Sequence, residues 1–198
     1  MTHINSGATR AQLRNGLARK EIIEALEIAS KITGRTIQIA DQSNIFKGGE
    51  GHDFRLDYSA FKRQLSGDTN IASYAVVSAS PTKRPSQDAF YRYLHRIGWI
   101  VHRFQAVRHG DVIAENEAFV DGHVRDLIHA AANNPQCNSI VLLAGDGGYT
   151  DVVRYAQFQG KRVYVIAWAN TLHHALMEAA TGYATIEELQ PLIARQLH

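Results

Sequence analysis

Two apolar runs in this 198-residue chain each end on an aspartate. Ile37-Gln38-Ile39-Ala40 runs into Asp41, followed by Gln42, Ser43 and Asn44. Ile140-Val141-Leu142-Leu143-Ala144 runs through Gly145 into Asp146, followed by Gly147 and Gly148. Ligands of open parallel sheets bind outside the carboxyl ends of the strands. Carboxylates gathered there repel one another unless a cation neutralises them. A third candidate, Asp121, sits in Val120-Asp121-Gly122-His123-Val124-Arg125-Asp126. Val120, Val124 and Leu127 mark the core face of a helix there and leave Asp121 and Asp126 on different flanks. Each strand-end carboxylate also has a plainer reading: Asp41 could close an Asx-turn, and Asp146 could cap the helix after it. Two of them on one edge favour a binding site. Gly145, Gly147 and Gly148 would let backbone approach a ligand closely, but they lack both the dinucleotide spacing and the Lys-Ser/Thr pair of a P-loop.

Side-chain nucleophiles are poorly represented. Cys137 is the only cysteine and lies in a polar turn, Asn133 to Asn138, without a local histidine partner. It excludes an intramolecular disulfide and fits a reducing, cytoplasmic location. The ten histidines are scattered, none in the i, i+4 pairing of a helical zinc motif. His173 and His174 are adjacent, so they point to different sides of any helix and read as surface or capping residues.

The elements that must position the aspartates follow from periodicity. Residues 1–10 read as a disordered tail. Ile22, Ile23, Leu26, Ala29 and Ile32 predict an amphipathic helix over 19–33, stopped by Gly34 and flanked by Arg10, Arg14, Arg19, Lys20, Lys31 and Arg35. That helix can pack on the core, pair with a second subunit, or serve as a basic arm for nucleic acid. Strands are expected at 36–40, 71–79, 99–107, 139–143, 162–168 and 183–186. Helices are expected at 57–65, 87–97, 117–132, 149–159, 171–180 and from about Glu187 to the end. Strand–helix–strand repetition with short loops predicts a parallel sheet covered on both faces.

The order of motifs resembles a known family. Asp41-x-x-Asn44, the Val120-Asp121 helix, Leu143-Ala144-Gly145-Asp146-Gly147-Gly148-Tyr149, Gly160-Lys161-Arg162-Val163-Tyr164-Val165, His174-Ala175-Leu176 and the Tyr183 to Leu189 ending are similar to the NYN (LabA-like) branch of PIN-like nucleases. The likeness covers roughly residues 36–190. It implies a three-layer α/β/α sandwich with a central, mostly parallel sheet, preceded by a separate tail and helix over 1–35, with the domain itself over 36–198. It also implies metal-dependent cleavage of RNA, with Asp41, Asp121 and Asp146 holding Mg²⁺ or Mn²⁺ and Asn44 as a polar neighbour in the catalytic group. One position departs from the pattern: Gly148 stands where the family has a second aspartate, and Ala144 replaces its serine. Asp151 or Asp126 could substitute for the missing acid. Without one, a non-catalytic RNA-binding or regulatory protein becomes the rival expectation.

Substrate contacts are expected from Ser43, Lys47, Lys83 and Arg84, with Arg92 and Arg96 further along, and base stacking from Phe46, Phe54 or Tyr149. The net charge of +2 permits a polyanionic partner without demanding one. No apolar run approaches the ~20 residues of a membrane span.

Overall fold

The computed structural model describes residues 10–79, 84–105, 107–109, 112–114 and 117–196. The expected tail over residues 1–9 lies outside them. Helix α1 (Arg10–Ser30) leads into β1 (Arg35–Asp41), α2 (Gln42–Gly48), β2 (Phe54–Leu56), α3 (Tyr58–Gln64) and β3 (Thr69–Ala79). Then come α4 (Arg84–Arg96), β4 (Ile100–Gln105), β5 (Val107–His109), β6 (Val112–Ala114), α5 (Glu117–Asn133) and β7 (Ser139–Leu143). A 3₁₀ turn (Gly147–Tyr149) precedes α6 (Thr150–Phe158), β8 (Arg162–Ala167), α7 (His174–Ala179), β9 (Gly182–Thr185), α8 (Gln190–Ile193) and β10 (Ala194–Gln196).

Six strands form one parallel sheet in the order β4-β3-β1-β7-β8-β9. The chain moves outward from β1 through β3 to β4, then returns to β7 beside β1 and moves outward the other way. The order therefore reverses between β1 and β7, where Ala40 pairs with Leu143. That crevice is the topological switch point, and both strand-end aspartates border it.

Apolar runs such as Ser139–Leu143 lie buried because helices cover both faces of the sheet. Val141 and Leu143 pack with Ala25, Phe61, Leu94 and Ile193 from α1, α3, α4 and α8. Ile140 and Leu142 pack with Val120, Val124, Val152, Val153 and Leu176 from α5, α6 and α7. The sandwich thus has three layers, as the sequence led us to expect. Among the described residues no helix is long and apolar enough to cross a membrane.

Four local expectations are corrected. The amino-terminal helix starts earlier and ends at Ser30; Gly34 instead takes a left-handed turn (φ +79°) into β1. Residues 42–48, assigned to no helix from the sequence, form α2, because Asp41 accepts the Asn44 amide and starts a helix too short to display periodicity. The strand expected over 99–107 gives way at its end to the antiparallel β5–β6 hairpin. The carboxyl-terminal helix is one turn only, since β10 pairs antiparallel with β2.

Gln38 is a polar residue wholly inside the sheet. Its Nε2 donates to the Leu65 carbonyl at 2.9 Å and the Lys62 carbonyl at 3.2 Å, while its Oε1 accepts from the Ser73 hydroxyl at 2.9 Å. The amide ties the end of α3 to β1 and β3. Gln38→Leu is expected to cost about 2–4 kcal/mol by stranding these partners, measured by urea unfolding. A neutral result would show that the network is dispensable.

Candidate active site

Asp41 is 3% exposed at the end of β1. Its Oδ1 accepts from the Asn44 backbone N–H at 3.1 Å, which is the plain capping role. Its Oδ2 accepts from the Tyr149 hydroxyl at 2.8 Å, and the same hydroxyl meets Asp121 Oδ1 at 3.1 Å. The two carboxylates, from β1 and α5, therefore face each other across one phenolic oxygen. A phenol carries a single proton, so it cannot donate fully to two ionised carboxylates at once.

Burial first, and then the charge of Asp121, raises the Asp41 carboxyl to about 6; the hydrogen bonds from Asn44, Tyr149 and Ser43 oppose the rise. Burial and the two carboxylates likewise hold the Tyr149 hydroxyl above its ordinary range.

Asp146 stands beyond the end of β7, exposed, and its Oδ1 accepts from the Gly148 amide at 2.7 Å. It too is a cap, here of the 3₁₀ turn that swings Tyr149 inward. Asn44 joins the two strand ends: its Oδ1 accepts from the Gly145 amide at 2.9 Å while its own N–H binds Asp41. Gly145 is required here, because a Cβ would lie 2.4 Å from the Thr171 carbonyl. Ser43 is half-buried beside them, and its amide also faces Asp41.

The remaining expected residues are spread more widely. Asp126 and Asp151 are exposed on α5 and at the start of α6, and neither joins the Asp41–Asp121 pair. Among the described residues no three His, Cys, Asp or Glu side chains form a ready cage for a cation. Lys47 is exposed in the last turn of α2. Lys83 lies outside the described residues, as does the side chain of Arg84, which opens α4. Arg96 closes α4 just before β4 begins, which puts it at the opposite edge of the sheet from the aspartates; Arg92 lies one turn before it. Phe54 and Tyr149 are buried and cannot stack on a base, whereas Phe46 is 59% exposed. Cys137 is buried and burial pushes its thiol up, away from nucleophilic use. His173 caps α7 through Nδ1, as a surface histidine would.

Three features escaped the sequence reading. Tyr149 is a carboxylate bridge rather than a stacking platform. His102 Nδ1 and His123 Nε2 lie 2.5 Å apart, and His102 occupies the same cross-strand row as Asp41 through Val76. Arg125 donates to the Gly148 carbonyl from α5. Only Arg125 left a legible signal, its i, i+4 spacing from Asp121.

Comparison with known proteins agrees with this architecture. A crystal structure of a Vibrio parahaemolyticus protein of unknown function superposes with a TM-score of 0.64 at 20% identity, over 81% of this chain and 96% of that one. At that identity the likeness speaks to fold alone. Homoserine dehydrogenase of S. aureus matches at a TM-score of 0.31 and 12% identity, over 80% of this chain and 33% of that one, and carries no argument. No curated protein matches the chain significantly. Residues 35–187 match the NYN domain, a span running from β1 past β9 and containing every carboxylate of the cleft. The chain belongs to the NYN domain family, within the PIN-like nucleases.

Proposed function

We propose that the protein is a divalent-metal-dependent endonuclease that hydrolyses RNA phosphodiester bonds. The observation that carries this reading is the Asp41–Tyr149–Asp121 arrangement at the switch point of an NYN domain. The donors are all oxygens and one carboxylate is nearly enclosed, so the pair suits a hard cation. Mg²⁺ commonly rests on one or two carboxylates and completes its shell with water and substrate phosphate, which two facing carboxylates allow. Asp41 and Asp121 would hold Mg²⁺ or Mn²⁺, with Asp146 at the rim. When bound, the ion lowers the pKa of a coordinated water and offsets charge on the phosphate. Asn44 keeps the β1 and β7 ends in register so that Asp41 and the Asp146 turn face one cleft. Ser43 and Lys47 extend the polar surface beside it, and the capped 3₁₀ turn keeps Tyr149 against the carboxylates.

The test is incubation with single-stranded and structured RNA in Mg²⁺, Mn²⁺ or EDTA. Cleavage that needs the metal and disappears in Asp121→Asn is expected; cleavage surviving EDTA would sink the proposal. Gly148 favours a second reading, a non-catalytic RNA-binding protein, because it supplies no carboxylate where the family has one. RNA bound without cleavage in either metal, together with tighter Mn²⁺ binding by Gly148→Asp, would select that reading.

A further inference from the structure

We infer that Arg125 is the cation that grips the substrate phosphodiester at the carboxylate cleft. The inference deepens the nuclease reading and rests on it. Arg125 lies one helical turn beyond Asp121, so both project from the same side of α5. The guanidinium donates through Nη1 to the carbonyl of Gly148, while Asp121 meets the hydroxyl of the next residue, Tyr149. Helix α5 is thus stitched to the Asp146–Tyr149 turn at two neighbouring points. The inner one, at Tyr149, is buried; the outer one, at Gly148, is open to solvent.

Among the described residues the charge of Arg125 has no ion pair. Asp121, Asp126 and Asp146 all belong to the same two elements, yet among the described residues none forms an ion pair with Arg125. Among the described residues its partner is a carbonyl, which leaves most of the planar fork's five donors unused there. The fork matches phosphate oxygens in a way an ammonium does not.

Asp41, Asp121 and Asp146 repel a polyanion, and Arg125 is a positive side chain fastened to the same turn. A Cβ at Gly148 would meet Asp146, at 3.2 Å for Oδ1, and no atom of Arg125 within 4 Å.

The test separates charge from tether and does not depend on cleavage. A short single-stranded RNA is titrated in EDTA over a range of KCl concentrations, followed by fluorescence anisotropy. Arg125→Gln keeps an N–H for the Gly148 carbonyl and removes the charge; Arg125→Lys keeps the charge. Arg125→Gln is expected to weaken binding about fivefold at low salt. It should also make the slope of log K against log[KCl] shallower by about 0.7, the value for one lost phosphate contact on a single strand. Arg125→Lys is expected to keep that slope, with both variants melting near the wild type. An unchanged slope in Arg125→Gln overturns the inference, as does equal loss in both variants with a lowered melting temperature, which is the mark of a tether. If the wild type cleaves RNA while Arg125→Gln binds and cleaves like it, the nuclease reading stands and the Arg125 assignment falls. If no metal supports cleavage but the slope still changes, the phosphate contact stands and the nuclease reading falls.

Discussion

Asp41→Asn is expected to melt about 6 °C above the wild type at pH 7.5 while losing about 10²–10³-fold in metal-dependent cleavage. Asparagine caps α2 as well as aspartate does: its carbonyl oxygen still accepts from the Asn44 amide, while its Nδ2 donates to the Tyr149 hydroxyl, whose own proton then goes to Asp121. What disappears is a buried negative charge held against Asp121. The sign follows from the carboxyl being raised to about 6 from its ordinary value of 3.8. The folded protein holds this proton more tightly than the unfolded chain, so the stabilisation is complete below about pH 4 and lost as pH rises through about 6. That gap corresponds to about 3 kcal/mol at neutral pH. Melting curves in EDTA at pH 4 and pH 7.5 check it: the two proteins should coincide at the lower pH and separate at the higher. Mg²⁺ should then stabilise the wild type at pH 7.5 and leave Asp41→Asn nearly unmoved. A difference that does not vary with pH would mean that the carboxylate is not strained by burial.

The largest loss of stability is expected at Trp168, a residue outside the chemistry. Its indole is 1% exposed and forms the platform under α2. His52 stacks on it at 4.2 Å between centroids and Phe54 lies at 5.2 Å, while Gly48 approaches so closely that a Cβ would sit 2.5 Å from the ring. Nε1 donates to the Ile45 carbonyl at 2.9 Å, and that carbonyl also accepts from the Gly49 amide at 3.1 Å. Trp168→Ala should therefore cost about 3–5 kcal/mol, mainly through the cavity. Trp168→Phe should cost about 1 kcal/mol, because the Ile45 carbonyl keeps a partner. Since α2 carries Asn44 on the same short helix, the alanine variant should also lose more cleavage activity than its folded fraction explains. Chemical denaturation of the two variants, with activity measured on the folded fraction, tests both parts. Equal costs for Ala and Phe would show that the hydrogen bond, not the packing, holds the platform.

Much of the architecture was legible in the residues themselves. Apolar runs such as Ser139–Leu143 announce strands buried on both faces, and their alternation with helical spacing dictates a parallel sheet with helices on each side. The same local logic placed Asp41 and Asp146 at strand ends, where a switch-point cleft would have to lie. Short elements were less legible: α2, α8 and the β5–β6 hairpin span too few residues for periodicity to separate them from loops, and β10 exists only because β2 offers it an edge.

The chemistry of the cleft was decided by contacts that no local pattern encodes. Tyr149 looked like an aromatic near a glycine turn. The fold closes it onto Asp41, 108 residues away in sequence, and onto Asp121, 28 residues away. Arg125 becomes notable only when the Gly148 carbonyl is found beside it and no carboxylate is. Periodicity records whether a side chain faces core or solvent, which is an average property of its surroundings. The proton affinity of Asp41 and the contact of Arg125 with the Gly148 carbonyl depend on individual atoms a few ångströms away, brought there by packing between elements distant in the chain. The sequence therefore determined that two strand-end carboxylates would share an edge, and only the tertiary structure decided which side chains face them.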